Sequence, residues 1–260
     1  VAALWEWSRL VNDRRKLWMG FGAAMTWAIL SPNGLFWQAR WPDGLPQAAA
    51  WLVPLWGAAS LSWVAGGAWL LRHGPARWPD LPQWLRQISV PLALLVAGYA
   101  LVQARLRGVN FLLSALALVW AADIAAYFVG RALGGKLSGG RKLAPSISPG
   151  KSWEGAAGGF LGVLLTAAAW TWMDRAWQLS PSLYTIFWQR GVAWFAGALA
   201  LLTAMSVVGD LTESLVKRAA GVKDSSRLLP GHGGVLDRID ALLPTLPLAL
   251  LLVSIGQEVK

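Results

Sequence analysis

Five of the thirteen carboxylates of this chain fall in one segment, Gly209–Asp240, which reads GDLTESLVKRAAGVKDSSRLLPGHGGVLDRID. Asp210, Glu213, Asp224, Asp237 and Asp240 are interleaved there with Lys217, Arg218, Lys223, Arg227 and Arg238. Carboxylates three apart on a helix can meet a hard cation together. Cations set among them can hold phosphate oxygens. Such a mixture suits metal-assisted phosphoryl or nucleotidyl transfer, in which the protein mainly positions reactants and neutralises charge. A helix running from Gly209 to about Ala220 puts Asp210, Glu213 and Lys217 on one face. For Lys217 and Arg218 alone, an ordinary solvated face with i,i+4 pairing explains the pattern equally well.

Within the segment, Leu229-Pro230-Gly231-His232-Gly233-Gly234 places three glycines around one histidine. Glycine supplies positive φ and lets backbone N–H groups approach an anion. The chain has only two histidines and no cysteine, so His232 reads as a donor to an anion or a structural residue rather than a metal ligand. Asp123 lies inside the apolar run LVWAADIAAYFVG, where an ionisable group marks a functional site by default; a buried pair with an arginine is the alternative. Asp210 directly follows an apolar run and raises the same question.

A second polar segment, Arg131–Glu154, carries Lys136, Arg141, Lys142 and Lys151 and ends in SISPGKSWEG. Gly150-Lys151-Ser152 resembles the end of a P-loop. That motif requires glycine where Pro145 stands and a strand before it, so a Walker ATPase is excluded. What is left suits a polyanion at a membrane surface, although a positive-inside loop has the same composition. Neither a Ser-His-Asp arrangement nor HExxH is visible.

The elements that must position these residues are membrane helices. Of 260 residues, 56% are hydrophobic and only 14% charged, against about 25% in soluble domains. Apolar runs near Leu17–Leu30, Gln47–Leu71, Ile88–Gln103, Val109–Gly130, Gly155–Met173, Gly191–Val208 and Ala241–Ile255 give about seven spans, the first, third and last of them short. The expected fold class is therefore all-α, a polytopic transmembrane helical bundle forming one integral membrane domain over residues 1–260. Lysine and arginine divide 17 to 6 between the two sides that seven spans create, which puts both polar segments in the cytoplasm. This accounts for the net charge of +10 without a nucleic-acid partner. Most of the 19 tryptophans read as interface anchors. Gly66-Gly67, Gly158-Gly159 and Gly162 read as close helix contacts. The chain starts at Val1 and shows no signal peptide, which suggests a processed or shortened N-terminus.

The stretch Ser214–Asp240, with its S…KR…KD…PGHGG…DR..D spacing, closely resembles phosphatidate cytidylyltransferases, membrane enzymes that make CDP-diacylglycerol from CTP and phosphatidic acid. The DLTE run at Asp210, the SPGKSWEG loop and the Asp123–Tyr127 stretch look like the family's as well, which makes about residues 116–255 the catalytic region. Family members begin with further apolar helices. Ile124 and Ala125 stand where the family often has a small residue and glycine, and Ser226 stands where it often has glycine after Asp-Ser. Ser226 is the less tolerant of positive φ.

The resemblance implies a nucleotidyltransferase of phospholipid biosynthesis in a bacterial-type inner (plasma) membrane, with its site facing the cytoplasm. Phosphatidic acid, CTP and membrane lipids are the implied partners, and a homodimer is left open. Implied catalytic residues are Asp210, Lys217, Arg218, Asp237 and Arg238. Lys151, Ser152, Lys223, Gly231, His232, Gly233 and Gly234 would bind substrate. Mg²⁺, in a two-cation site whose second ion is Mg²⁺ or monovalent, would be held by Asp210, Asp237 and Asp240, with Asp123 and Asp224 as further ligands. A CTP-dependent prenyl alcohol kinase shares the C-terminal region and is the alternative; an ion transporter is a distant one. The DG..AR motif of CDP-alcohol phosphotransferases is missing.

Overall fold

The computed structural model describes residues 1–11, 22, 52–231 and 233–255. Apart from Gly22, the expected span Leu17–Leu30 lies outside the described residues, as do the start of the next at Gln47 and His232. The chain forms α1 (Ala2–Leu10), α2 (Leu52–His73), a 3-10 helix (Pro75–Asp80), α3 (Gln83–Arg107) and α4 (Val109–Leu133). Strands β1 (Lys142–Ala144) and β2 (Ser148–Ser152) follow, then α5 (Trp153–Ala176), α6 (Leu183–Trp188), α7 (Val192–Ala219), α8 (Leu236–Ile239) and α9 (Leu242–Ile255).

Among the described residues, five helical stretches are long and apolar enough to cross a membrane: Gln83–Arg107, Val109–Leu133, Trp153–Ala176, Val192–Ala219 and Leu236–Ile255. The protein is therefore mostly helical and integral to a membrane. Two spans that looked short are full length. The third extends over all of α3, and the last starts at Leu236 because α8 leads into α9, so Asp237 and Asp240 begin a crossing stretch rather than precede it. The second, α2, is 22 residues long yet is not among the five. The helical expectation holds for most of the chain, with one addition. Part of the second polar segment pairs as an antiparallel hairpin, Lys142 opposite Ser152 and Ala144 opposite Ser148, which satisfies backbone groups that no helix covers.

Helix α9 occupies the centre. From Leu243 to Leu250 every residue is buried, and α9 packs against α2, α3 and α7. At its C-terminal end Arg190 donates to the carbonyls of Leu252 (2.7 Å) and Val253 (2.6 Å), filling acceptors that the helix leaves open. Nearby, Asp174 accepts from Asn110 (2.7 Å), Thr185 (2.5 Å) and the Ser182 amide (3.1 Å), which seats the short buried helix α6. Several exposed tryptophans, Trp84, Trp153, Trp172, Trp177 and Trp188, stand near helix ends, as interface anchors do.

Helices α4 and α5 are packed most closely, along the glycines that the sequence singles out. A Cβ on Gly158 would stand 2.4 Å from Val129, and one on Gly162 would stand 2.3 Å from the Ala125 Cβ. Ala125 is thus itself part of the contact, and the departure from glycine there is accommodated. Gly67 meets Val208 in the same manner, whereas Gly66 faces open space and is not a contact. Overpacking costs about 1–3 kcal/mol. Gly162→Ala is expected to lower the melting temperature of the detergent-solubilised protein, while Gly197→Ala, which meets nothing within 4 Å, leaves it unchanged or higher. Fluorescence melting curves of the two variants check this.

Candidate active site

Four elements converge at the end of the bundle away from Asp174: the hairpin, the C-terminal half of α7, the turn from Gly221 to Val235 with α8, and α1. Helix α7 continues through the polar sequence to Ala219, as expected, so Asp210, Glu213 and Lys217 share a face. Gly209 sets how close that face comes to α8. A Cβ there would lie 2.6 Å from the Asp240 carbonyl and 3.0 Å from the Ala241 Cα, so only glycine brings Asp210 alongside Asp240.

Lys217 is the centre of the ion pairs. Its ammonium lies 2.5 Å from Glu213 Oε2 and 2.5 Å from Asp237 Oδ1, joining α7 to α8. All three side chains are largely buried. Glu213, which the sequence places on the face of Asp210 and Lys217 without assigning it a role, thus joins the candidate site. Asp237 also accepts from the Gly234 amide (2.7 Å), the Ser225 amide (3.0 Å) and the Ser225 hydroxyl (2.9 Å). A carboxylate offers about four lone-pair sites. Here Asp237, expected as a metal ligand, has its oxygens occupied by Lys217 and the glycine-rich turn. Gly231 and Gly233 take φ of 76° and 79° in that turn, and a Cβ on Gly233 would stand 2.8 Å from Asp237 Oδ2.

Lys151, carried by β2, pairs with Asp210, which also accepts from Ser214 (3.3 Å). Two residues on α5 and β2 hold that strand in place. Ser152 caps α5 by accepting from the Gly155 amide (3.1 Å), and Glu154 accepts from the amides of Ser138 (2.7 Å) and Leu137 (3.1 Å). Ser152, expected to bind substrate, thus has its hydroxyl engaged in the cap. Arg218 donates to the Ile147 carbonyl (3.2 Å) and the Val222 carbonyl (3.3 Å), tying the hairpin turn to α7.

Asp123 on α4 interacts through space with Asp210, Lys151 and Arg238, and Asp240 interacts with Asp210, Asp123 and Lys217. Three carboxylates from three helices therefore share one field. Among the described residues, no three His, Cys, Asp or Glu side chains close into a metal cage. An all-oxygen, open donor set of this kind still suits Mg²⁺, which usually takes one or two carboxylates and completes its shell with water and substrate phosphate.

Two cavities lie beside these elements, and the first of them reaches the cluster. One of about 690 Å³ lies between α2, the 3-10 helix, α3 and α7, lined by apolar groups such as Leu55, Trp63, Leu70 and Val96, and reaches Glu213 and Asp240. The other, of about 530 Å³, is lined by Arg9, Lys223, Asp224, Ser225, Ser226 and Arg227. Lys223 and Asp224 are exposed there, Arg238 is exposed on α8, and Ser226 does not adopt positive φ.

Comparison with known proteins gives one consistent answer. A family model described as "Cytidylyltransferase family" matches residues 1–255. The chain is 38% identical over 255 residues to the phosphatidate cytidylyltransferase of Pseudomonas aeruginosa, covering 97% of this chain and 84% of that protein. It is 49% identical over 140 residues to that of Haemophilus influenzae, where the match spans 54% of this chain but only 44% of the relative. To that of Brucella melitensis it is 45% identical over 183 residues, covering 68% of this chain and 61% of the relative. The chain belongs to the cytidylyltransferase family.

Proposed function

We propose that this member of the cytidylyltransferase family is a phosphatidate cytidylyltransferase, making CDP-diacylglycerol and pyrophosphate from CTP and phosphatidic acid. The observation that carries the reading is an apolar cavity that reaches Glu213 and Asp240, together with a cationic cleft lined by Lys223, Ser225 and Arg227 and joined to the same charged network through the bonds from Ser225 to Asp237. A reaction joining a lipid to a nucleotide needs both surfaces at one point. An ion transporter has no use for the cationic cleft.

A phosphate oxygen of phosphatidate attacks the α-phosphorus of CTP in line; the new P–O bond forms as the bond to the β-phosphate bridging oxygen breaks, and pyrophosphate leaves with that electron pair. The nucleophile is already ionised near neutrality, since the second pKa of a phosphate monoester is about 6. No side-chain base is required, in keeping with a chain that has two histidines and no cysteine. The acyl chains occupy the apolar cavity, with the phosphate at its Glu213 and Asp240 end. Lys223, Arg227 and the glycine-rich turn hold the triphosphate, together with Arg238. Lys151, released from Asp210, binds a phosphate oxygen as substrate arrives. Asp210 and Asp240, with Asp123, would hold Mg²⁺, which when bound neutralises the charge of two polyanions brought together. Asp237 and Lys217 keep the turn and α7 in register. The 17 to 6 division of cations supports seven spans with this site on the cytoplasmic side of a bacterial-type inner membrane.

The test is purified protein supplied with CTP, Mg²⁺ and phosphatidate. Pyrophosphate is expected in one-to-one ratio with nucleotide-bearing lipid, and chelation of Mg²⁺ should stop both; lipid phosphorylation without pyrophosphate would favour the kinase alternative. In the same assay Lys151→Ala is expected to raise KM for substrate about tenfold or more. Arg105→Ala, at the far end of α3, should leave it near the unmodified value, and equal effects would contradict the placement of the site.

A further inference from the structure

We infer that Glu6, on the N-terminal helix α1, is a positioning residue for the catalytic turn, acting through the backbone of α8. This rests on the cytidylyltransferase reading for its kinetic consequence, but the geometry stands by itself. Glu6 has 0% of its surface exposed. Burying a carboxylate is costly unless it is paired or fully hydrogen-bonded. Its Oε1 accepts from the Val235 amide (2.9 Å) and the Ser226 hydroxyl (2.6 Å), and its Oε2 from the Leu236 amide (2.7 Å) and the Ser225 hydroxyl (3.2 Å).

The amides of Val235 and Leu236 are donors that the start of a helix leaves unfilled. Val235 itself supplies no capping side chain to α8. A carboxylate more than two hundred residues away in sequence takes that role, and Asp237 follows immediately. Ser225 carries a single hydroxyl proton, which Glu6 and Asp237 share at 3.2 and 2.9 Å. The two carboxylates are therefore held at a fixed separation by one side chain. Gly234 completes the fit, because a Cβ there would stand 2.5 Å from Glu6 Oε1 and 2.0 Å from Ser225 Oγ. Helix α1 is itself fixed: the Trp7 ring N–H donates to the Arg86 carbonyl (3.0 Å), and the ring meets Trp78 edge-on at 5.9 Å. Since Leu236 lines the apolar cavity and Ser225 the cationic cleft, the bonds of Glu6 connect the walls of both.

Glu6→Gln keeps the size but turns one acceptor into a donor that faces donors. Two measurements on the full chain in detergent test the role. Amide hydrogen exchange over residues 233–240 should be at least tenfold faster in Glu6→Gln than in the unmodified protein, with α4 and α5 unaltered. At saturating CTP and phosphatidate, kcat per folded molecule should fall at least tenfold and the half-saturating Mg²⁺ concentration should rise severalfold. Ser226→Ala, which removes one Glu6 partner that does not touch Asp237, should shift both readouts in the same direction by a smaller factor, and serves if Glu6→Gln does not fold. Unmodified exchange over 233–240 would overturn the inference, as would a loss confined to the folded fraction with kcat and Mg²⁺ dependence unchanged. If the unmodified chain makes no CDP-lipid, the reading of its function fails while amide exchange still decides the place of Glu6.

Discussion

Asp237→Asn is expected to lower turnover of CTP by about a hundredfold to a thousandfold while leaving a protein that inserts and melts cooperatively. The substitution turns one acceptor oxygen into an amide group that must face the Ser225 and Gly234 donors or the Lys217 ammonium. Breaking a buried ionic contact by changing one partner costs about 3–5 kcal/mol. At about 1.4 kcal/mol per tenfold in rate, the stated loss requires that most of that cost appear in the transition state. Lys217 keeps Glu213 as a partner at 2.5 Å, so folding bears little of the cost. Steady-state kinetics beside a melting curve check the division. Near-normal turnover would show that the register of the turn does not matter to the chemistry.

Lys217→Met should do more damage to the fold. Removing the ammonium leaves Glu213 and Asp237, with side chains only 6% and 11% exposed, facing each other without a counter-ion. Destabilisation of about 3–5 kcal/mol is expected together with loss of activity. Lys217→Arg is not expected to rescue, because a planar guanidinium does not fit between two oxygens that each sit 2.5 Å from a single nitrogen. Pairing Lys217→Met with Glu213→Gln removes one of the two uncompensated charges and leaves Asp237 with the Ser225 and Gly234 donors. The double variant should regain much of the melting temperature and none of the turnover. A double variant as unstable as the single one would mean that Lys217 contributes packing rather than charge balance.

These two expectations stand on residues of very different legibility. Asp237 and Lys217 stand out through the family-like spacing around the glycine-rich turn; for Lys217 by itself an ordinary solvated helix face reads equally well from the sequence. The glycine contacts of α4 and α5 were equally visible, since small residues at helical spacing in an apolar run have few other uses. The hairpin was not, because Ser-Pro-Gly reads as a loop and its short strands show no period-two pattern. Helix α6 was missed for its length: Leu183–Trp188 is too short to show a helical period, and what seats it is a polar network from α4 and α5. Glu6 is the instructive omission. Its partners lie at the other end of the chain, where no spacing rule reaches. The available signal was a lone carboxylate between Trp5 and Trp7 on a helix whose buried face is otherwise apolar. Ser226, a departure from the family pattern, gains a role only when Glu6 is seen beside it.

The most direct measurement follows the label of CTP carrying ³²P at the α-position, incubated with the purified chain, Mg²⁺ and phosphatidate. Cytidylyl transfer places that label in the lipid as CDP-diacylglycerol, with pyrophosphate released unlabelled. Label that stays in water-soluble CDP, with the lipid marked only when the γ-phosphate is labelled instead, would contradict it.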